Sequence, residues 1–207
     1  QAFEEYSAGL NSRQVLEWSK IQGRFEDVPF VEPRNEMIGL IVGVLEKKNL
    51  TPKMAELIDA SASFYINLAK DLQIECLKGW DAEFMASVFP MHPVVALLSP
   101  EMCTKFAQND RTLFAFLCGD EPNSFGSFLK SHQCDPDNLN VTLYDPHRLY
   151  DYFISSAYTS IINRPESQRL IEVNSIVNEC SRRSEFDLQL LKTIGLINMV
   201  GASVGLS

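Results

Sequence analysis

The sequence predicts a mainly α fold with few short strands, and three observations carry that reading. Apolar residues recur at helical spacing along most of the 207 residues. Helix-start signals, Thr51-Pro52 and Ser184 among them, stand just ahead of those runs. Only two stretches, "VPFVEP" and Val141–Tyr144, read as extended.

The elements follow in order. In "QAFEEYSAGL" Phe3, Tyr6 and Leu10 keep helical spacing. "NSRQVLEWSKIQG" has Asn11 or Ser12 as N-cap, Val15, Leu16 and Trp18 as apolar positions, and Gly23 as a C-terminal stop. After the proline-bounded "VPFVEP", "RNEMIGLIVGVLEKK" carries Met37, Ile38, Leu40, Ile41, Val44 and Leu45 and ends on two lysines, which suit a helix C-terminus. Thr51-Pro52 opens a helix expected to run to about Gly79, with Pro52 at its first position. Pro90, Pro93 and Pro100 are expected to break the next segment into short helices. "EMCTKFAQNDRTLFAFLCG" reads as one or two helices with Phe106, Leu113, Phe114, Phe116 and Leu117 as core. Residues 119–139 are the richest in turn formers and form the expected linker. A short strand at Val141–Tyr144 leads into a helix from Pro146. "ESQRLIEVNSIVNECSRR" is amphipathic through Leu170, Ile171, Val173, Ile176 and Val177, and the helix after Ser184 is nearly continuously apolar beyond Leu188.

Composition sets limits on function. With 45% hydrophobic and 22% charged residues the chain can bury a core. A net charge of −9 argues against a nucleic-acid surface spread over the whole chain. Five scattered cysteines without a CxxC pair read as reduced thiols of a cytoplasmic protein rather than a disulfide framework or zinc site. No apolar run is long enough to cross a membrane. The start without methionine and the apolar finish "MVGASVGLS" read as a piece of a larger protein.

The chemical motifs are sparse. The phosphate-binding loop, the dinucleotide fingerprint, the H-E-x-x-H pair and the nucleophile elbow are all missing from the sequence. Glu26-Asp27 reads as the flank of a turn, and His92 as a partly buried histidine satisfied by backbone. Arg24 and Arg111 offer a fork of donors that matches phosphate oxygens, with a structural ion pair as the plainer alternative.

Those residues carry a resemblance. "GRFEDVPFVEPRNEMIGLIVGVL" resembles the AAA+ ATPase segment that runs from G-R-F-D-R through a short extended stretch and a proline into the first lid helix. Glu26-Asp27 departs from it where the family has a second arginine. "QAFEEY", "EWSKIQGRFEDVPF", "HPVVALLSPEMCTKFAQNDRTLFAFL" and "LQLLKTIGLINMVG" together are similar to large bacterial P-loop ATPases found beside DNA-processing and phage-defence genes, and His92-Pro93 resembles the His-Pro pair of STAND-type ATPases. The resemblance implies the end of an ATPase core at 1–33, a helical lid at 34–118, a linker at 119–139, and a helical or winged-helix-like domain at 140–207. It implies Arg24 as arginine finger and Arg111, Asn109 and His92 as nucleotide-sensing residues. ATP and Mg²⁺ would bind the parent protein and not this piece. The implied partner is an upstream nucleotide-binding core, with self-association possible, nucleic acid reserved for the parent, and no membrane. The function so implied is a non-catalytic part that senses nucleotide and couples it to conformational change. The alternatives are a helical protein–protein interaction module and a winged-helix nucleic-acid-binding domain.

Overall fold

The computed structural model describes residues 34–45, 47, 50–106, 111–132, 143–161 and 168–206, with the side chains of 34, 35, 111, 112 and 156–161 left out of that description. The chain divides into two units, Gln1–Glu32 and Pro33–Ser207, and every described residue belongs to the second. The expectations for residues 1–33, Gly23 as a helix stop and the extended "VPFVEP" included, lie outside the described residues.

The fold is mainly α. Among the described residues there are nine α-helices, one 3₁₀ turn and no strand. Helix α1 (Arg34–Val44) buries Met37, Ile38 and Ile41 and leaves Leu40 and Val44 exposed. It stops before the lysines expected to close it. Lys47 instead sends its ammonium across to the Ala86 carbonyl, and partial burial lowers its pKa.

Helix α2 (Pro52–Asp71) starts as its sequence signals: the Thr51 hydroxyl accepts the Met54 N–H at 3.3 Å, with Pro52 at the first position. It ends well short of Gly79. Gln73 adopts φ 53°, and two reversed bonds close the helix, Gln73 N–H to Lys70 C=O at 3.1 Å and Ile74 N–H to Ala69 C=O at 2.8 Å. This is the C-terminal reversal usually built on glycine. A glutamine in that place gives no sequence signal, so the helix read on to the first glycine. A 3₁₀ turn (Glu75–Leu77) follows, then α3 (Ala82–Ser87), capped by Asp81 accepting the Phe84 N–H at 2.8 Å.

Helix α4 (Pro93–Phe106) corrects the expectation of short, proline-broken helices. Pro93 opens it and Pro100 lies inside it. A proline in a helix interior removes one backbone bond and costs about 3 kcal/mol in an exposed helix. Here Val95, Leu98, Met102 and Phe106 are buried, as are Ala96, Leu97, Ser99, Pro100 and Cys103. Burial of ten of its fourteen residues outweighs the lost bond.

Helix α5 (Arg111–Cys118) buries Leu113, Phe116 and Leu117, but Phe114, read as core, points to solvent. Helix α6 (Phe125–Ser131) occupies the stretch expected as linker. The Ser124 hydroxyl accepts the Ser127 N–H at 3.0 Å and donates to the Gly119 carbonyl at 2.8 Å. A Cβ on Gly126 would lie 2.5 Å from that same carbonyl oxygen, so only glycine lets α6 sit this close to the end of α5. The turn formers around α6 hid a helix that two buried phenylalanines, Phe125 and Phe128, anchor.

Helix α7 (Pro146–Ile161) begins where expected. The expected strand before it reduces to one parallel bridge among the described residues, Met91 with Tyr144. Tyr144 N–H donates to Pro90 C=O at 2.8 Å, and His92 N–H donates to Tyr144 C=O at 3.1 Å. Helix α8 (Gln168–Glu179) buries Leu170, Val173 and Val177, while Ile176 is exposed. Helix α9 (Glu185–Val204) is capped by Ser184, whose hydroxyl accepts the Asp187 N–H at 3.1 Å, and ends on Gly205 at φ 77°.

Helix α4 lies centrally, against α1, α5, α7 and α9, while α8 packs on α9, α6 on α5 and α3 on α2. One apolar cluster runs from Met37 to Val204 through all of them. At its centre Phe116 meets Tyr152 at 5.1 Å and Tyr144 at 5.6 Å between ring centroids, and Phe125 and Phe128 each meet Tyr144 at 5.4 Å. Cys103, Cys118 and Cys180 are free thiols. No helix among the described residues is long and apolar enough to cross a membrane.

Candidate functional site

Of the four residues singled out by sequence, Arg24 and Asn109 lie outside the described residues. Arg111 is the first residue of α5, and its side chain is also outside that description. Only His92 can be placed atom by atom. It is the N-cap of α4. Its Nδ1 accepts the Val94 N–H at 3.1 Å, and its carbonyl accepts the Ala96 N–H at 3.2 Å. The acceptor at Nδ1 fixes the proton of the neutral ring on Nε2. The ring packs edge-on against Tyr65 at 4.9 Å. Burial pushes its pKa down to about 4, and protonation would also remove the cap and set a positive charge at a helix N-terminus. His92 is therefore held neutral by its structural task. Its sequence signal was present: a polar side chain before a helix-opening proline. Histidine is simply not among the usual capping residues.

A polar group gathers beyond it at the start of α7. Asp145 is raised above the usual carboxylate range by burial, opposed by the Arg148 charge. Tyr65 is pushed up to about 12 by burial and by the Asp145 charge. The Arg148 guanidinium lies over the Phe128 ring at 5.2 Å, and its Nε is buried without a hydrogen bond in the described structure. Burial, then Arg148, lowers the pKa of His147. Lys192 reaches from α9 to Asp151 on α7, 2.7 Å to one carboxylate oxygen and 2.9 Å to the other, in a half-buried pair. These contacts join α7 to its neighbours. None of them pairs a nucleophile with a base, and among the described residues no group of three His, Cys, Asp or Glu is placed to hold a metal ion.

Two concave sites lie among the described residues. A cavity of about 200 Å³ sits at the end of α2, lined by Ile66, Ala69, Ile74, Leu77 and Trp80 with Lys70, Gln73 and Lys78 at its edge. A groove of about 180 Å³ runs between α8 and α9, lined by Val173, Ile176, Leu191 and Ile194 with Gly195 in its floor and Arg169, Glu172 and Asn198 at its edge. A Cβ on Gly195 would lie 2.4 Å from a Val173 methyl, so the glycine sets how closely α8 and α9 approach. Beside that groove Phe186, Leu190 and Ile194, four residues apart on α9, are 72%, 49% and 46% exposed. The sequence reading missed this row because α9 is apolar nearly all round, and periodicity alone does not say which side a neighbour covers.

The chain matches no protein-family model, no curated protein and no solved structure.

Proposed function

We propose that this chain is a helical protein–protein interaction module whose α8–α9 groove takes the apolar face of a partner helix. The supporting observation is the row Phe186, Leu190 and Ile194, which continues the apolar lining of the groove out onto the open surface. A row of apolar residues at i, i+4 and i+8 beside a groove is the shape that receives an amphipathic helix. Apolar surface left contiguous and uncovered marks interaction sites. The free thiols fit a cytoplasmic setting for this role. The test places a photo-crosslinking residue at position 190 in the expressed chain, with the exposed polar position 179 as control. Protein adducts at 190 that are lost on Ile194→Glu are expected. Equal labelling at 190 and 179 would overturn the reading.

A second reading makes the chain a nucleotide-coupled part of a P-loop ATPase. Its support is the resemblance around Arg24, together with Arg111 as the opening residue of α5, a helix with no acidic residue in its first turn. Helix N-termini carry partial positive charge, so an arginine there suits a nearby anion. In the ATPase that contains this chain, Arg24→Ala and Arg111→Ala should each lower ATP turnover by about 10³-fold, if they act on the γ-phosphate. Wild-type turnover in both variants would end this reading.

A further inference from the structure

Helix α2 presents a second uncovered face, on the opposite side from its core residues Ile58, Ala62 and Ala69. Phe64 and Leu72 are 60% and 63% exposed, and Leu68 is exposed with them. Lys53, Ala60 and Asp71 are also exposed, and Leu57 and Ser61 are half-buried. At about 100° per residue, Lys53, Leu57, Ala60, Ser61, Phe64, Leu68 and Asp71 all fall within about 50° of one line along the helix. A neighbouring helix could lie along that line.

The order of residues on this line is symmetric about the middle of the helix. If a second α2 is laid antiparallel with the twofold axis at the level of Ala62, Lys53 of one copy comes opposite Asp71 of the other. At the same setting Ala60 and Ser61 come opposite Phe64, and Leu57 comes opposite Leu68, each to within one residue. One register thus joins opposite charges at both ends, sets the large Phe64 ring over the small Ala60–Ser61 surface, and matches leucine with leucine between. A twofold interface needs this self-complementarity, because each contact occurs twice. A partner of unrelated sequence would place no such demand on α2. The arrangement of large beside small side chains is also what lets two helices interlock at close range.

We infer that α2 is the interface of a homodimer, formed by antiparallel packing of its Phe64 face on the same face of a second copy, with reciprocal Lys53–Asp71 ion pairs. This surface is on a different helix from the α8–α9 groove, and the inference does not rest on the function proposed for that groove.

The test is sedimentation equilibrium of the full chain as a function of concentration, with circular dichroism to confirm that each variant keeps its helices. Wild type is expected to show a monomer–dimer equilibrium. Phe64→Glu is expected to abolish it, since the residue is exposed and its replacement leaves the core untouched. Lys53→Glu is expected to weaken dimerisation about tenfold, and the paired exchange Lys53→Glu with Asp71→Lys is expected to restore it. Leu190→Glu should leave the dimer intact. A wild-type chain that stays monomeric, a dimer that survives Phe64→Glu, or a charge exchange that fails to rescue would each overturn the inference.

Discussion

Phe116→Ala is expected to destabilise the chain by about 3–5 kcal/mol, a large part of the stability of an ordinary domain. Phe116 is fully buried on α5. Its ring meets Tyr152 of α7, Tyr144 ahead of α7, and Phe125 of α6 at 5.1, 5.6 and 6.3 Å. Truncation to alanine removes the apolar area of the ring and leaves a cavity that three aromatic neighbours, themselves packed on Phe128 and Phe153, cannot close. It also removes the edge-to-face contact with Tyr144, worth about 0.5–1.5 kcal/mol beyond area. Denaturant titration measures the loss directly. Phe114→Ala, two residues away on the exposed side of α5, is expected to fall within about 0.5 kcal/mol of wild type. Equal losses at 114 and 116 would mean that α5 does not sit as described.

The second large effect is a pH dependence centred on His92. In the unfolded chain the imidazole titrates near its ordinary 6.5, and in the folded chain near 4. Between those values the unfolded chain holds the extra proton and the folded chain does not. Stability therefore falls as pH drops from about 6.5 to about 4, by roughly 3 kcal/mol in total, and is not reduced further by this group below pH 4. His147 is lowered as well and works in the same direction, while the raised carboxyl of Asp145 works in the opposite one. The contribution of His92 is isolated by comparison with His92→Asn, whose side-chain oxygen can still accept the Val94 N–H but does not titrate. The two proteins should diverge steadily as acid is added, with wild type losing more. Parallel stability curves from pH 7 to pH 4 would show that the ring is not held neutral by the cap.

Much of this fold was legible in the sequence, and the legible parts share a cause. Thr51-Pro52 at the start of α2, Pro146 at the start of α7 and Ser184 at the start of α9 each act through the backbone within a few residues. Local chemistry needs no knowledge of the rest of the chain. Of the apolar positions read for α1 and α8, Met37, Ile38, Ile41, Leu170, Val173 and Val177 are buried, while Leu40, Val44 and Ile176 face solvent. A helical period identifies a stripe. It does not identify what, if anything, covers that stripe. For the candidate sites, residue types were legible without their placement: His92 was read as satisfied by backbone, and its bond to the Val94 N–H bears that out.

By itself the sequence determined a mainly α chain, the starts of α2, α7 and α9 and part of the core, because caps, prolines and periodicity are local signals. Only the tertiary structure decided the rest. It carried α4 unbroken through Pro100, because burial of ten of the helix's fourteen residues outweighs one missing hydrogen bond. It ended α2 at a glutamine in a left-handed conformation, and it made a packed helix of the turn-rich stretch at Phe125–Ser131. It also left the Phe64 row of α2 and the Phe186 row of α9 uncovered. Whether an apolar row becomes core or contact surface depends on which neighbours arrive beside it, and that is a property of the whole packed chain.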